Sequence, residues 1–370
     1  MNRKQIIIYV PNLSGGGTER FFTQLAKFLS KLEKYSVIYF YSVNSSNSNP
    51  VKNNLFIKLK KTIFKRSIFA IWEIIFFSWR EKPSIILSAQ NHPNVLFSLL
   101  RFLLPKSTKL IISERSFTNL ALRDAKFLPR KILNKLIPIA YKNADSIHCL
   151  TNRIQDILIK KYDIPKTKIN VIPNFIDLDN VQKQSFKKHN FSLIKKINNS
   201  PYIISIGRLH NQKGFEYLIK AFSSLTDLIP HKLVILGEGP LMNNLKDQVK
   251  VLKLGNKVIF AGFLKNPYPI LKKADLFVLS SLYEGMPNAL LEAISLNVPI
   301  VSSDCPSGPR EILGSEYENL LYDPYDIDAL AKLILNQINK PIKEKQTILE
   351  KGFSVEQVLK KYEKLINSPF

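Results

Sequence analysis

Two carboxylates, Glu284 and Glu292, stand eight residues apart in the stretch from Ala274 to Glu311. Glu284 precedes Pro287, whose missing N–H costs nothing in the first turn of a helix, and Glu292 falls within the helix that we predict to follow. At about 1.5 Å per residue, this spacing separates the two groups by about 12 Å. They cannot pair, but they can hold two hydroxyl-bearing parts of one elongated ligand. The free N–H groups of the helix N-terminus suit a phosphate.

Two cations, Arg208 and Lys213, flank the turn after a predicted strand that begins at Tyr202. An arginine and a lysine on one loop can clamp a diphosphate without a metal ion. The Asp-x-Asp pattern at 326–328 begins a predicted helix near the C-terminus, so we expect no metal ion or other cofactor. With one glutamate for sugar hydroxyls and one for ribose hydroxyls, the cations predict a nucleotide-sugar site whose phosphates are neutralised by side chains and the helix dipole.

Alternating strands and helices must position these residues. Apolar runs at 6–10, 84–88 and 109–113 end in polar loops, and the same pattern restarts at 202 after a lysine-rich connection. Strands that alternate with helices predict parallel, doubly wound α/β sheets, and 370 residues exceed one ordinary core. We therefore predict an N-terminal domain over 1–185 and a C-terminal domain over 186–350. A terminal helix within 351–370 can pack back on the first domain.

The first strand is followed by three glycines, Gly15 to Gly17, and by a helical pattern from Thr18. Glycine lets the backbone approach a ligand closely, so Gly16 and Gly17 are candidate site residues. The turn is neither GxGxxG nor a P-loop with its lysine, so a dinucleotide or ATP site is not indicated. A plain tight turn between strand and helix is the alternative.

Polar residues follow two further strands of the first half. His92 comes after the strand at 84–88, and Glu114 and Arg115 come after the strand at 109–113. Ligands of open α/β sheets gather at the carboxyl ends of strands, so these three are candidates too. For His92 the alternative is a loop histidine bonded to the backbone. His148 lies in an apolar run and is interpreted as a core residue.

The charge of +25 is concentrated in the first half. Residues 1–200 hold 34 Lys and Arg against 11 Asp and Glu, whereas residues 201–370 hold 20 against 18. A basic half suggests an anionic partner. Nucleic acid is a weak alternative, because the basic residues are interleaved with large apolar ones and no recognised binding motif occurs. The two separated cysteines, Cys149 and Cys305, fit a reducing cytoplasm.

The segment 55–82 places basic residues beside a run rich in Phe, Ile and Trp. This composition is typical of a helix in a membrane interface, so we expect peripheral attachment to anionic lipid at the cytoplasmic face of the membrane. A core-facing helix preceded by a basic loop is the alternative. The sequence contains no run of 18 or more uncharged apolar residues, so we expect no transmembrane helix.

Several motifs together resemble family 4 of the GT-B glycosyltransferases. They are GlyArgLeu and LysGly at 207–214, GlyGluGlyPro at 237–240, AlaAspLeuPheValLeuSerSer at 274–281, GluGlyMetProAsnAlaLeuLeuGluAla at 284–293 and AspCysProSerGlyProArgGlu at 304–311. The resemblance implies two Rossmann-like domains facing an interdomain cleft, a retaining reaction, and donor binding mainly by the C-terminal domain. The loop at 304–309 resembles that of members that use UDP-linked N-acetylhexosamines on lipid-linked oligosaccharides or surface polysaccharides; a hexose donor is the other possibility.

The resemblance also implies roles for residues at matching positions. Arg208 and Lys213 would hold the diphosphate, Glu284 the donor sugar and Glu292 the ribose. His92 would approach the transferred sugar, and Gly16 and Gly17 a phosphate or the acceptor. The base would lie near Phe263, Leu264 and Asn266, and the sugar phosphate near Gly285, Met286, Pro287 and Asn288.

Front-face transfer is the mechanism that these roles predict, with the acceptor attacking from the side that UDP leaves. The rival is another GT-B enzyme, such as a UDP-sugar 2-epimerase. The glutamates combined with Arg208 and Lys213 favour a transferase, because this set serves the retaining family.

Overall fold

The structure is a computed structural model of the chain. It describes residues 3–13, 16–44, 57–62, 67–115, 130–187, 197, 199–342, 346–350 and 352–369. Contacts divide the chain into two compact units. Unit 1 comprises Met1–Asn174 and Glu356–Phe370, and unit 2 comprises Phe175–Val355. The helix at 178–185 thus falls in unit 2 by contacts, whereas the boundaries at 185 and 350 stay sequence predictions.

A seven-stranded parallel sheet forms the centre of unit 1. Its strands lie in the order β5-β3-β1-β6-β7-β8-β9. A separate two-stranded ladder pairs β2 with β4. The bounds are β1 Lys4–Tyr9, β2 Asn12–Leu13, β3 Tyr35–Tyr41, β4 Val43–Asn44, β5 Ile57–Lys61, β6 Ile85–Ala89, β7 Lys109–Glu114, β8 Ser146–Cys149 and β9 Ile169–Val171.

Helices of unit 1 connect these strands. They are α1 Gly17–Lys31, α2 Ser67–Glu81, α3 Asn91–Leu99, α4 Arg130–Asn143 and α5 Asn152–Tyr162, with 3-10 turns at Arg101–Leu103 and Lys166–Lys168. Helix α1 forms because Phe21, Phe22, Leu25 and Leu29 recur at helical spacing and are buried against the sheet. Glu19 accepts the N–H of Gly16 at 2.9 Å, which satisfies a donor at the helix start.

The C-terminal helix, Val355–Asn367, packs on unit 1. Its buried Tyr362 stacks near His148, with 5.2 Å between ring centroids. The ammonium of Lys109 donates to the carbonyls of Leu365 and Ser368 at 3.0 and 2.9 Å, near the end of this helix. Lysine beside the last carbonyls of a helix offsets the negative end of its dipole. This helix therefore completes the core of unit 1.

Unit 2 contains a six-stranded parallel sheet in the order β12-β11-β10-β13-β14-β15. Its strands are β10 Tyr202–Ile206, β11 Lys232–Leu236, β12 Val258–Gly262, β13 Leu276–Leu279, β14 Ile300–Ser303 and β15 Leu321–Tyr322. Its helices are α6 Leu178–Ser185, α7 Phe215–Ser223, α8 Met242–Val251, α9 Tyr268–Lys272, α10 Asn288–Ser295, α11 Pro309–Leu313, α12 Ile327–Asn339 and α13 Gln346–Glu350, with 3-10 turns at Asn211–Lys213, Gly255–Lys257 and Ser315–Leu320. An apolar core between sheet and helices includes Phe222, Leu233 and Ile334.

In each sheet the strand order runs outwards in both directions from the first strand of the unit. The order changes direction between β1 and β6 in unit 1, and between β10 and β13 in unit 2. The carboxyl ends of the two strands at such a switch point flank the crevice where ligands of doubly wound sheets bind. The prediction of two Rossmann-like domains is therefore confirmed, and each unit has one candidate location for a site.

One strand departs from the sequence analysis. Residues 57–61, interpreted as the basic approach to a helix, form the edge strand β5 beside β3. Lysines at 58 and 60 alternate with Ile57 and Leu59, which is the two-residue period of a strand. Charged side chains on an edge strand also discourage pairing with other chains.

Candidate active site

Lys213 and Glu284 form an ion pair at the switch point of unit 2. Lys213 follows β10 and Glu284 follows β13, and the distance from Nζ to Oε1 is 2.6 Å. The hydroxyl of Ser281 donates to the same carboxylate oxygen, also at 2.6 Å. Glu284 is 6% exposed, so the pair is formed largely out of water. The structure thus brings together two of the residues that the sequence placed in one site.

A glycine allows the turn after β10 to come this close. Gly214 has φ of +58°, and a Cβ there would lie 2.1 Å from the carbonyl oxygen of Ser280. The hydroxyl of Ser280 donates to the carbonyl of Lys213 at 2.8 Å, and the N–H of Leu282 donates to the carbonyl of Gln212 at 2.7 Å. These bonds fasten the loop after β10 to the loop after β13, which fixes Lys213 opposite Glu284.

Arg208 is exposed on the same turn. The turn packs tightly on the GlyGluGlyPro motif, because a Cβ on Gly237 would lie 1.8 Å from the carbonyl oxygen of Gly207 and one on Gly239 would lie 2.3 Å from that of Leu209. Backbone packing therefore holds the strand ends together without using the Arg208 side chain. Its guanidinium is available to a ligand at the edge of the sheet.

Helix α10 begins beside the ion pair. Its N-cap is Pro287, which offers no side-chain acceptor for the first N–H groups. Inside the helix, Glu292 is 6% exposed and accepts a hydrogen bond from the hydroxyl of Tyr268 at 3.1 Å. The loop at 304–309 packs on the approach to the helix, since a Cβ on Gly308 would lie 2.7 Å from the carbonyl oxygen of Gly285. Met286 is buried there, and Asn288 begins the helix.

The residues predicted near a base lie after β12. Phe263 is 60% exposed, so its ring is open to solvent, and its backbone N–H donates to Glu238 at 3.3 Å. Leu264 is half-buried. The amide of Asn266 donates to the carbonyl of Gln184 at 2.9 Å and accepts from the N–H of Tyr268. Asn266 thus stabilises the loop with its own side chain.

A pocket lies at the switch point of unit 1. It is lined by Thr18, Gln90, Asn91, His92 and Arg115. Burial lowers the pKa of His92, which favours the neutral imidazole. Gln90 has φ of +80°, a strained conformation for a non-glycine residue that costs about 1–3 kcal/mol and is common in functional loops.

The glycine turn and Glu114 differ from this group. Gly16 and Gly17 are exposed at the start of α1, and Gly15 lies outside the described residues. Glu114 is fully buried and accepts a hydrogen bond from Tyr141 at 2.6 Å. Successive strand residues point to opposite faces, so Glu114 enters the core while Arg115 faces the pocket. Glu114 is therefore not among the residues that line this pocket, and its role as a site residue stays a prediction. The interpretation of His148 as a core residue agrees with its full burial.

Helix α2, within the segment 55–82, has one buried face and one exposed aromatic face. Ala70, Ile71 and Ile74 are fully buried, as in a core-facing helix. The other face exposes four aromatic side chains at helical spacing: Phe69, Trp72, Phe76 and Trp79. Residues 55–56 and 63–66 of this segment lie outside the described part of the chain. Within the described part, no helix has both the length and the apolar character needed to cross a bilayer.

Two family models match most of the chain between them. The model described as Glycosyltransferase Family 4 matches residues 15–180, and the model described as Glycosyl transferases group 1 matches residues 187–352.

Among the described residues, no group of three or more His, Cys, Asp or Glu is arranged to hold a metal ion.

Similar proteins are found by sequence and by structure. An uncharacterised glycosyltransferase of Methanocaldococcus jannaschii is 34% identical over 281 residues, and the alignment covers 74% of this chain and 65% of that protein. The chain is 30% identical over 336 residues to an N-acetylgalactosamine-N,N'-diacetylbacillosaminyl-diphospho-undecaprenol 4-alpha-N-acetylgalactosaminyltransferase of Campylobacter jejuni, covering 85% of each. The crystal structure of Anabaena HepE with UDP and glucose has a TM-score of 0.82 at 15% identity, covering 99% of this chain and 100% of that one. This last match shows the fold.

Proposed function

We propose a substrate pair for this chain, which belongs to glycosyltransferase family 4 and is an enzyme with the GT-B fold: a UDP-sugar donor, and a lipid-linked oligosaccharide or surface-polysaccharide acceptor. The name of the Campylobacter relative supports the acceptor class, since it describes a sugar carried on diphospho-undecaprenol. The UDP and glucose in the Anabaena structure support the donor class. An N-acetylhexosamine or a hexose is the transferred sugar.

The Lys213–Glu284 pair is the observation that carries the donor assignment. An ammonium has three N–H groups, so Lys213 can keep its bond to Glu284 and donate to a phosphate as well. Exposed Arg208 supplies a planar fork for the second phosphate. Glu284 has a second oxygen for the hydroxyls of the donor sugar. No metal ion is needed in this proposal, because the cations and the N-terminus of α10 neutralise the diphosphate.

Glu292 and Phe263 define the nucleoside end. The hydroxyl of Tyr268 orients the carboxylate of Glu292, which can accept both ribose hydroxyls. The exposed ring of Phe263 can stack on the base. Gly285, Met286 and the amides at the start of α10 then lie along the sugar phosphate.

Retention follows in this proposal from attack on the face that the diphosphate leaves. Arg208, Lys213 and the α10 N-terminus stabilise the departing charge, and a phosphate oxygen takes the proton of the acceptor hydroxyl. Neutral His92 both donates and accepts hydrogen bonds, so it can orient a hydroxyl of the transferred sugar. Gly16 and Gly17, at the start of α1, can let the backbone approach a phosphate or the acceptor.

The aromatic face of α2 supports peripheral attachment to the membrane that carries such acceptors. Phe76 and Trp79 are 71% and 57% exposed; the apolar Phe ring can enter the acyl boundary, and the amphipathic Trp ring favours the headgroup region. Lys60 lies 4.0 Å from the ring of Phe77, so basic charge for anionic lipid adjoins this helix.

Product analysis tests the proposal. The full chain is incubated with a UDP-sugar panel and diphospho-undecaprenol-linked saccharides, and the expected products are free UDP and an acceptor lengthened by one sugar with the donor's anomeric configuration. The Glu284→Ala variant should give neither product. An epimerised UDP-sugar without acceptor turnover would contradict the transferase assignment, and near-normal transfer by Glu284→Ala would contradict the site.

A further inference from the structure

Arg115 carries a buried charge that none of the described residues pairs with a carboxylate. The residue is 8% exposed at the carboxyl end of β7, and its Nη2 donates to Asn174 at 2.6 Å. The guanidinium carbon lies 4.2 Å from the ring of Phe21 and 5.1 Å from that of Phe22. Nε and Nη1 are buried and have no hydrogen-bond partner in the part of the chain that the structure describes. Across the described ranges, none of the ion pairs includes Arg115.

This arrangement is costly unless a ligand completes it. A buried guanidinium loses its hydration, and each buried donor without a partner retains the desolvation penalty of that group. Burial lowers the pKa of Arg115 to about 10, so the group is still cationic at neutral pH. Aromatic rings and one amide hold its plane in place but supply no negative charge.

The pocket around Arg115 has the chemistry of an anion site. Its lining combines Arg115 with Thr18, Gln90, Asn91 and His92, and none of these described lining residues is a carboxylate. Thr18 lies in the first turn of α1, and Asn91 and His92 lie in the first turn of α3. Both helix N-termini therefore add partial positive charge to the same pocket. Gln90, the N-cap residue of α3, makes no side-chain cap bond.

We propose that this pocket binds a phosphate group of a substrate, through Arg115, and that the group belongs to the acceptor. The assignment to the acceptor rests on the proposed function, in which the acceptor is carried on a lipid diphosphate. The donor diphosphate already has Arg208 and Lys213 in unit 2, so a second phosphate-bearing substrate calls for a second set of donors. Unit 1, which holds most of the net charge, supplies it.

Binding of inorganic pyrophosphate tests the anion site without requiring transfer. The thermal unfolding midpoint of the full chain is measured against pyrophosphate concentration in the presence of excess UDP, which occupies the donor site. We expect pyrophosphate to raise the midpoint of the wild type, and of the control Arg153→Met, which removes an exposed arginine from the same unit. Arg115→Met should lose this shift and keep the shift caused by UDP. An equal pyrophosphate shift in wild type and Arg115→Met, or none in either, would overturn the site.

A conservative variant keeps the test decisive. Arg115→Lys retains the charge but not the planar fork, so pyrophosphate affinity should fall by about tenfold. If Arg115→Met does not fold, this comparison with the wild type decides, and unchanged affinity in Arg115→Lys argues against the proposal. A purely structural arginine would instead make the ligand-free midpoint fall with no selective loss of pyrophosphate binding.

Kinetics distinguish the acceptor phosphate from the donor phosphate. In Arg115→Lys, the KM for a diphosphate-linked acceptor should rise by about 10- to 100-fold, as for a weakened charge-assisted contact, while the KM for the UDP-sugar stays unchanged. The same saccharide on an uncharged alkyl chain should be used equally by both proteins. A rise in the donor KM alone would assign the pocket to the donor and refute the acceptor assignment. Failure of every transfer assay would reject the proposed function but not the pyrophosphate result.

Discussion

Removing Lys213 should destabilise unit 2, because it leaves Glu284 charged and buried. The side chains of Lys213 and Glu284 are 20% and 8% exposed, so solvent screens the pair only slightly. Breaking a buried pair by deleting one partner costs about 3–5 kcal/mol. Since water reaches part of the Lys213 side chain, we expect Lys213→Met to lower the free energy of unfolding by about 3 kcal/mol.

A double-mutant cycle isolates the pair itself. Glu284→Gln removes the charge but keeps an oxygen for the hydroxyl of Ser281. In the double variant no buried charge lacks a partner. Its loss of unfolding free energy should therefore be about 2 kcal/mol smaller than the sum of the losses in the two single variants. Lys250→Met serves as the control, because Lys250 pairs with Asp247 on the surface, where a pair contributes about 0–1 kcal/mol.

Urea denaturation can separate the two units. The chain has two tryptophans, Trp72 and Trp79, and both lie in α2 of unit 1. Tryptophan fluorescence therefore follows the unfolding of unit 1, whereas circular dichroism follows both units. We expect the variants to shift the unfolding transition of unit 2, seen by circular dichroism, and to leave the fluorescence transition unchanged. Additive single effects within about 0.5 kcal/mol would refute the buried pair. Wild-type transfer by the double variant would refute the catalytic role of the Lys213–Glu284 pair.

Three further results are expected. Gly214→Ala should destabilise unit 2 by at least about 2 kcal/mol and abolish transfer, since φ is +58° and the new Cβ meets a carbonyl oxygen, whereas Gly255→Ala, where the Cβ meets open space, should cost about 1 kcal/mol. In the unfolded chain the imidazole of His148 has a pKa of about 6.5, whereas burial lowers its pKa to about 3 in the folded unit. The free energy of unfolding of unit 1, followed by tryptophan fluorescence in urea, should therefore fall by about 2 kcal/mol between pH 7 and pH 5, and it should fall less in His148→Gln. Phe76→Ser combined with Trp79→Ser should release the protein from anionic vesicles in sedimentation; unchanged binding would count against the aromatic face.

The alternation of strands and helices could be predicted from the sequence because most central strands are short apolar runs that end at polar loops. Their parallel arrangement then placed Lys213 and Glu284 at neighbouring strand ends, although 71 residues separate them. The contact itself was not predictable. It depends on the left-handed conformation of Gly214 and on the backbone bonds between two loops, and neither leaves a periodic signal.

Glu114 and Arg115 are a second case in which the sequence could not distinguish two residues. Both follow the same apolar run, so both were predicted to be site residues. Alternation along the strand sends Glu114 to Tyr141 in the core and Arg115 to the pocket. The strand β5 was missed for a related reason, because lysine at every second position on a sheet edge has the composition of a loop.

The cations at the two switch points have different surroundings, and this difference gives expectations for stability that differ in size. Lys213 is compensated by Glu284 within the chain, so its removal should be destabilising whether or not a ligand is present. Among the described residues, Arg115 contacts the neutral Asn174 and two aromatic rings, so a methionine of similar length loses one hydrogen bond but also relieves a desolvated charge. We therefore expect Arg115→Met to change the free energy of unfolding of unit 1 by less than about 1.5 kcal/mol, about half the effect of Lys213→Met on unit 2. A loss of about 3 kcal/mol or more in unit 1, measured by tryptophan fluorescence in urea, would mean that the fold itself depends on the guanidinium, and the pocket would then need no ligand to account for it.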